Sequence, residues 1–476
     1  MVGHASRVVA VRHVISICAL LFACSLTVTH AETSTVLLAL PGVKAWTGDF
    51  DGMLKRRLIR ILVVPSKTYF FLNKGDTLGL TAETGQEFEK WINKRHAKGP
   101  YYIEVAFIPT RRDRIFQELK DGKGDIAAAN LTITQERTAI VDFAKPWAKD
   151  VKEVLVIGPS APPITGISDL GGREVMVRAS SSFHTHLLAL NNRLKSDNQT
   201  PIKLVAADEN LEDEDLLQMV SAKLIPWTVV DRHTAKLWTK ILKNISIREE
   251  LTVNESGEIA WAVRKNSPLL QRELEEFVTS HRKFAEDLIS QYLFDGKIVR
   301  NALAPDDVAK FRQLVEYFKT YGGRYGVEPY MLAAQGYQES SFNQELRMKS
   351  GAVGIMQMKP STAREELGIN DIVTRAEDNI HSGAKYLRYL MDKYLNDPTV
   401  ANREKVLMTL AAYNAGPENL KRFRIKAQQA GFDPNVWFGN VEIGAGAIVG
   451  QETVQYVGNI YKYYVVYSKL LPNGAQ

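Results

Sequence analysis

The sequence predicts a multidomain chain: a two-lobed α/β domain followed by a domain dominated by helices. Three observations carry this. From Arg57 onward, short β-branched runs alternate with helical patterns, the mark of a sheet with crossover connections. The same pattern restarts after a proline-rich junction, Pro159 to Pro163. Beyond Pro305 the strand signals nearly vanish and helical spacing takes over.

In chain order, Leu58–Val64 reads as a strand, Thr84–His96 as a helix with Phe88, Trp91 and Ile92 on one face, and Tyr101–Phe107 as a strand. Asp113–Leu119 reads as a helix and Asp125–Ala129 as a third strand. Val154–Ile157 is a strand before the junction, and Ile167–Leu170 opens a new unit. Strands follow at Val175–Val177, Ile202–Val205 and Trp227–Val230, and Gly257–Val263 looks like a strand returning to the first lobe. Leu269–Phe284 is an amphipathic helix. In the last third, Val308–Tyr321, Pro329–Glu339, Pro360–Glu366, Ile380–Tyr394 and Glu404–Tyr413 read as helices, with proline opening two of them.

Composition excludes several classes. The chain has 476 residues and a formal charge of +6, which is ordinary for a globular protein with two or three cores. That mild basic excess suits an anionic polymer or surface, and no Lys/Arg block or zinc-type Cys/His spacing argues for nucleic acid. Arg7 and Arg12 precede an apolar run, Val14 to Val28, closed by the small-residue site Thr29-His30-Ala31. This reads as an export signal over residues 1–31, too short for a comfortable membrane span. Both cysteines, Cys18 and Cys24, fall inside it, so processing after Ala31 leaves no thiol for catalysis or a disulfide. A rival reading makes Leu21-Phe22-Ala23-Cys24 a lipidation site; Phe22 fits that box poorly, and either route exports the chain. The expected division is therefore signal (1–31), leader (32–56), α/β domain (57–298), linker helix (299–320) and helical domain (321–476).

Glu339 closes the helix Pro329–Glu339, beside Tyr337 and Phe342. An acid in such apolar company is partly desolvated, which raises its pKa and suits general-acid work near neutral pH. Alone, a helical Glu is more often simply solvated. The blocks around it change that weighting. Glu339-Ser340-Ser341-Phe342, then Gly354-Ile355-Met356-Gln357, Ala412-Tyr413-Asn414 and Glu452-Thr453-Val454-Gln455-Tyr456-Val457 occur in one order. Together they resemble the signature of bacterial lytic transglycosylases of the lysozyme-like superfamily, over roughly residues 320–470. The resemblance implies that Glu339 is the single acid/base. It implies that Tyr413 faces that acid, that Ser350, Met356, Gln357 and Tyr456 line the saccharide groove, and that Asn414 and Glu452 lie near the glycan. Each has a plainer alternative: Met356 and Tyr456 as core, Gln357 and Asn414 as turn or capping groups.

Most glycosidases need two carboxylates. The resemblance implies a reaction with one, in which peptidoglycan is cut after N-acetylmuramic acid without water and the sugar's own C6 hydroxyl closes on C1, leaving a 1,6-anhydro end. No metal or organic cofactor is implied. A hydrolytic muramidase of the same fold and a non-enzymatic receptor stand as alternatives.

The segment Gly122–Trp147, with Leu131-Thr132-Ile133-Thr134-Gln135-Glu136-Arg137 as its best motif, resembles family 3 solute-binding proteins over roughly residues 57–298. Those have a periplasmic-binding-protein fold whose cleft holds the ligand. The resemblance implies that Arg137 grips a ligand carboxylate, that Ser181 lies in an anion-gripping turn and that Asp231 pairs a ligand ammonium. For Arg137 the alternative is an ion pair with Asp142. Lys223-Leu224-Ile225-Pro226-Trp227 departs from the family's usual approach to the second lobe. The combination implies a regulatory sensor for a muropeptide or amino-acid-like ligand attached to a lytic enzyme, exported to the periplasm, with attachment to the outer membrane as one alternative.

Overall fold

The computed structural model describes residues 45–73, 75–295 and 301–471. The expected signal, with both cysteines and the start of the leader, lies outside the described residues. The end of the leader is a helix, Phe50–Arg56, with Phe50 and Met53 buried in the first lobe. Asp49 caps it and also accepts from the backbone N–H groups of Leu269 and Leu270, both at 2.9 Å, at the start of the helix Pro268–Asp295.

The α/β region contains strands β1 (Leu58–Val63), β2 (Phe71–Asn73), β3 (Asp76–Leu78), β4 (Glu104–Pro109), β5 (Ile126–Thr132), β6 (Val141–Phe143), β7 (Ala148–Ile157), β8 (Glu174–Arg178), β9 (Lys203–Ala207), β10 (Trp227–Asp231) and β11 (Ser246–Arg264). One sheet runs in the order β10-β7-β11-β5-β1-β4, with β6 also on β11. β1 lies parallel to β4 and β5, and the helix Leu80–His96 provides the crossover from β1 to β4. The five core positions of β1, Ile59 to Val63, are all buried, as expected of a strand covered on both faces.

The long strands β7 and β11 belong to both lobes. β11 pairs antiparallel with β5 and β6 at its C-terminal end and with β7 along its length, while β7 pairs with β10 of the second lobe. The chain therefore crosses between lobes twice, once on each strand. The sequence pattern captured only the mostly buried ends, Val154–Ile157 and Gly257–Val263. The rest of each strand carries charged and exposed residues and hides its β character. The second lobe adds the parallel pair β8 and β9 and the helices Ser182–Ser196, Asp213–Ser221 and Arg232–Trp238.

The helix Pro305–Tyr325 runs straight through the expected boundary at residue 320. Its Phe311, Val315 and Phe318 lie in the core of the helical domain, so it is part of that domain's packing rather than a free connection. The same core holds Leu332, Tyr337, Phe342, Met356, Trp437 and Tyr467. Phe311 stacks on Tyr467 with ring centroids 4.6 Å apart, tying the first helix of the domain to its last, Gln451–Leu470.

That last helix also meets the α/β region. Gln455 accepts from Leu72 N at 2.8 Å in the first lobe. Tyr461 donates to Asp208 at 2.9 Å in the second lobe, and Val466 is buried in the second lobe's core. Lys462 donates to Pro65 O at 3.3 Å and lies 3.5 Å from Asp215. One helix thus touches both lobes and, one turn away, the candidate site. Among the described residues no helix is long and apolar enough to cross a membrane.

Candidate active site

The helix Pro329–Ser340 starts with proline at its first position and ends in an abrupt left-handed stop. Ser341 and Phe342 have φ of 53° and 61°, a conformation that non-glycine residues rarely take. Phe342 is held there by packing on Phe311, Phe318, Tyr337 and Tyr467. The stop leaves Glu339, half-buried, at the helix end facing the following loop.

Tyr456 donates its hydroxyl to Glu339 Oε1 at 2.5 Å. Burial, and then the charge of and hydrogen bond to Glu339, hold the Tyr456 pKa well above its ordinary value. Tyr413 shows the same effect: burial first, then Glu339, push its pKa up. Both phenols therefore stay protonated and act as donors, and Glu339 is the carboxylate acting on each. Tyr413 gives its hydrogen bond to Met356 O at 2.7 Å rather than to the acid.

The remaining predicted residues fall into two sets. Ser350, Asn414 and Glu452 are exposed. Asn414 accepts from Thr453 Oγ1 at 2.7 Å, which joins the third and fourth sequence blocks. Met356 is fully buried: its side chain lies against Gly336 and Gly383 and is core, while its carbonyl accepts from Tyr413. Gln357 has a φ of 47° and donates to Gly354 O at 2.8 Å, a turn-forming role.

Asn379 was not visible as a functional residue in the sequence. Fully buried, it accepts from Met356 N at 2.7 Å and donates to Val353 O and Ile372 O, both at 3.0 Å. It pins the loop that carries Met356 and Gln357. Gly354 is required beside it: φ is 76°, and a Cβ there would stand 2.3 Å from Asn379 Nδ2. Gly354→Ala is expected to lower stability by roughly 2 kcal/mol and to lower activity by displacing this loop. Thermal unfolding and sacculus digestion check both, and an unchanged melting temperature would show that the clamp is dispensable.

Comparison with known proteins agrees with this plan. The family described as Transglycosylase SLT domain matches residues 316–435, and the family of bacterial extracellular solute-binding proteins, family 3, matches residues 59–292. Membrane-bound lytic murein transglycosylase F 1 of Alkalilimnicola ehrlichii is 29% identical over 89% of this chain and 86% of its own. The transglycosylase F of Desulfosudis oleivorans is 28% identical over 82% of this chain and 87% of its own. Over most of its length the chain is similar to membrane-bound lytic murein transglycosylase F, and it carries both family matches. Among solved structures, an amino acid ABC transporter substrate-binding protein from Streptococcus pneumoniae, bound to L-arginine, aligns at 16% identity with a TM-score of 0.41, over 51% of this chain and 98% of that one.

Between the two lobes of the α/β region the chain's own side chains form bridges. Arg112 of the first lobe forks onto Glu212 of the second at 2.6–3.1 Å. Lys67 reaches Asp215 at 2.6 Å. Arg137 donates to Thr132 O at 2.8 Å and Ser180 O at 3.0 Å, bridging the lobes, and burial followed by Arg112 brings its pKa down to about 10. Asp142 pairs with Lys265 instead, at 2.7 Å, so the alternative ion pair for Arg137 is absent.

Ser181 caps the helix Ser182–Ser196 and donates to Arg178 O at 2.6 Å, which commits its hydroxyl to the backbone. Its neighbour Ser180 instead holds a carboxylate, taking Glu209 through backbone N at 3.0 Å and Oγ at 2.6 Å. Asp231 is buried, accepts from Asn130 at 2.8 Å, and has a pKa raised well above the usual carboxylate range by burial and then by Glu153. A mostly apolar cavity of about 290 Å³ lies beside the long strands β7 and β11, walled by Trp147, Trp261, Leu288 and Ile289. Arg137, Ser181 and Asp231 are not among its walls, and neither is Glu339.

Proposed function

We propose that this protein cleaves the β-1,4 bond between N-acetylmuramic acid and N-acetylglucosamine in peptidoglycan as a lyase, with Glu339 as its acid and base. The observation that carries the reading is a carboxylate, Glu339, held at a helix end with two protonated phenols acting on it. Protonated Glu339 gives its proton to the glycosidic oxygen as the bond to C1 breaks, and the N-acetylglucosamine leaves with that oxygen as a hydroxyl. The substrate's N-acetyl carbonyl steadies the charge at C1. Ionised Glu339, still receiving the Tyr456 hydrogen bond, takes the proton of the C6 hydroxyl, whose oxygen bonds to C1. The 1,6-anhydro ring forms and Glu339 ends protonated, ready for another turn. An attacking group already tethered in the sugar removes the need for a second protein carboxylate.

Exposed Ser350, Asn414 and Glu452 suit contacts along the glycan, and Gln357 and Tyr413 shape the floor under it. Residues 57–298 form a sensing region and 305–476 the lytic region, preceded by an export signal that delivers the chain to the periplasm, at the membrane that its relatives' names indicate. A cell-wall peptide, bearing carboxylates and amines, is the ligand whose chemistry answers Arg137, the Ser180–Ser181 turn and Asp231. The helix Gln451–Leu470 supports coupling of the two regions, because Tyr456 and the lobe contacts of Gln455, Tyr461 and Lys462 share it.

Mass spectrometry of fragments released from purified sacculi tests the reaction. Anhydro ends, lighter by one water than hydrolytic products, are expected. A digest holding only reducing ends would make the protein a muramidase and overturn the lyase reading.

A further inference from the structure

Gln335 and Glu339 lie four residues apart on the Pro329–Ser340 helix, so their side chains leave the same face. Tyr456 stands opposite both. Its hydroxyl donates to Glu339 at 2.5 Å, and Gln335 Nε2 donates to that same hydroxyl oxygen at 3.4 Å. A phenol has one proton. With that proton on Glu339, the Tyr456 oxygen can only accept from Gln335, so the amide nitrogen, not the amide oxygen, must face it.

This orientation has a visible consequence. Gln335 is fully buried, and its Oε1 has no hydrogen-bond partner among the described residues. A buried acceptor without a partner is destabilising compared with an apolar side chain of the same length. Its neighbours on the helix, Leu332, Ala333 and Ala334, are apolar and buried, so packing alone does not call for an amide here. Nothing in the reaction described above uses Gln335 directly.

We propose that Gln335 is a positioning residue: by donating into the Tyr456 oxygen it keeps the phenol proton pointed at Glu339. This rests on the reading of Glu339 as the acid. A donor to a carboxylate favours its ionised form, which is the form Glu339 takes on once it has protonated the glycosidic oxygen. Without the amide, the hydroxyl loses the partner that biases its rotation. The titratable groups that act on Glu339 from neighbouring helices include Tyr456 and Tyr413, with Tyr386 acting on Tyr413. Both of these phenols stay protonated, so neither accounts for a shift in the activity profile near neutral pH.

The experiment compares the parent, Gln335→Met, Tyr456→Phe and the double variant on soluble glycan strands. Gln335→Met is expected to melt no earlier than the parent, with KM unchanged and kcat reduced roughly three- to tenfold. The alkaline limb of the pH profile should move to higher pH, because the protonated acid is favoured once its donor is misdirected. In the Tyr456→Phe background the same change should have no further effect, since Gln335 acts only through that hydroxyl. A Gln335→Met enzyme with the parent's kcat and pH profile overturns the proposal. So does a lowered melting temperature, which would make Gln335 a structural residue, and so does a full additional loss in the double variant. If the parent itself releases no anhydro ends, the proposed reaction fails as well; if the parent does and Gln335→Met matches it, only the role of Gln335 is lost.

Discussion

Glu339→Gln should reduce release of anhydro-ended fragments by about 10²- to 10⁴-fold while leaving the fold intact. The substitution keeps side-chain length and an oxygen able to accept from Tyr456, so the helix end and its left-handed stop need not move. What it removes is the proton. An amide neither protonates the glycosidic oxygen nor accepts the C6 proton, so both halves of the reaction are lost together. Glu339 is half-buried and bonded to a neutral phenol, so replacing it breaks no buried ion pair with Tyr456, and melting should stay close to the parent's. Turbidity loss of sacculi and fragment mass analysis are the measurements. A Gln variant that digests walls at the parent's rate would remove Glu339 from the chemistry and return the chain to the receptor reading. Tyr456→Phe should retain more activity than Glu339→Gln, since it removes a hydrogen bond rather than the acid.

How far the sequence foretold this site depends on the kind of interaction. The helix ending at Glu339 was legible because proline marks its start and a polar, small-residue run marks its end. The hydrogen bond between Glu339 and Tyr456, 117 positions away, was not foreseen: the resemblance implied Tyr413 as the tyrosine facing the acid and Tyr456 as a lining residue, and no local pattern encodes the pair. Met356 was expected at the groove, yet it fills the space left by Gly336 and Gly383, two helix positions whose meeting a sequence cannot display. Asn379 and Gln335 escaped notice because one buried amide in a helix has no periodic signature. In the α/β region, strands marked by a β-branched or apolar run were found, while the short strands β2, β3 and β6 and the half-exposed stretches of β7 and β11 were not. Periodicity reports burial, and those stretches alternate poorly because successive parts of each strand serve different lobes. The closed state of the cleft was equally hidden. Arg112 and Glu212 are 100 positions apart and read individually as surface residues.

That pair carries the second large effect. Arg112 gives Nε and Nη2 to the Glu212 carboxylate and Nη1 to Ala129 O at 2.8 Å, with both side chains buried. Arg178 is farther from Glu212, at 3.9 Å, and is engaged by Asp213 at 2.6 Å. Arg112→Met therefore leaves Glu212 charged, buried and poorly compensated, and should cost about 3–5 kcal/mol in urea unfolding at neutral pH. Burial alone would raise the Glu212 pKa; Arg112 and then Arg178 reverse this and hold it below the ordinary value. A lowered folded-state pKa adds stability above the unfolded carboxylate's value of about 4.3, and that stability is lost as pH falls through the folded value. In Arg112→Met the carboxyl instead gains a proton readily, so the deficit against the parent should shrink as pH drops from neutral toward 4. Pairing Arg112→Met with Glu212→Met should recover most of the loss, because two apolar groups replace two ions. Because the pair joins the lobes, Arg112→Met should also let the cleft open, read as a longer distance between fluorophores placed one on each lobe. A deficit below about 1 kcal/mol, with no change in that distance, would show that the bridge is solvent-screened and that Lys67–Asp215 and Arg137–Ser180 close the cleft without it.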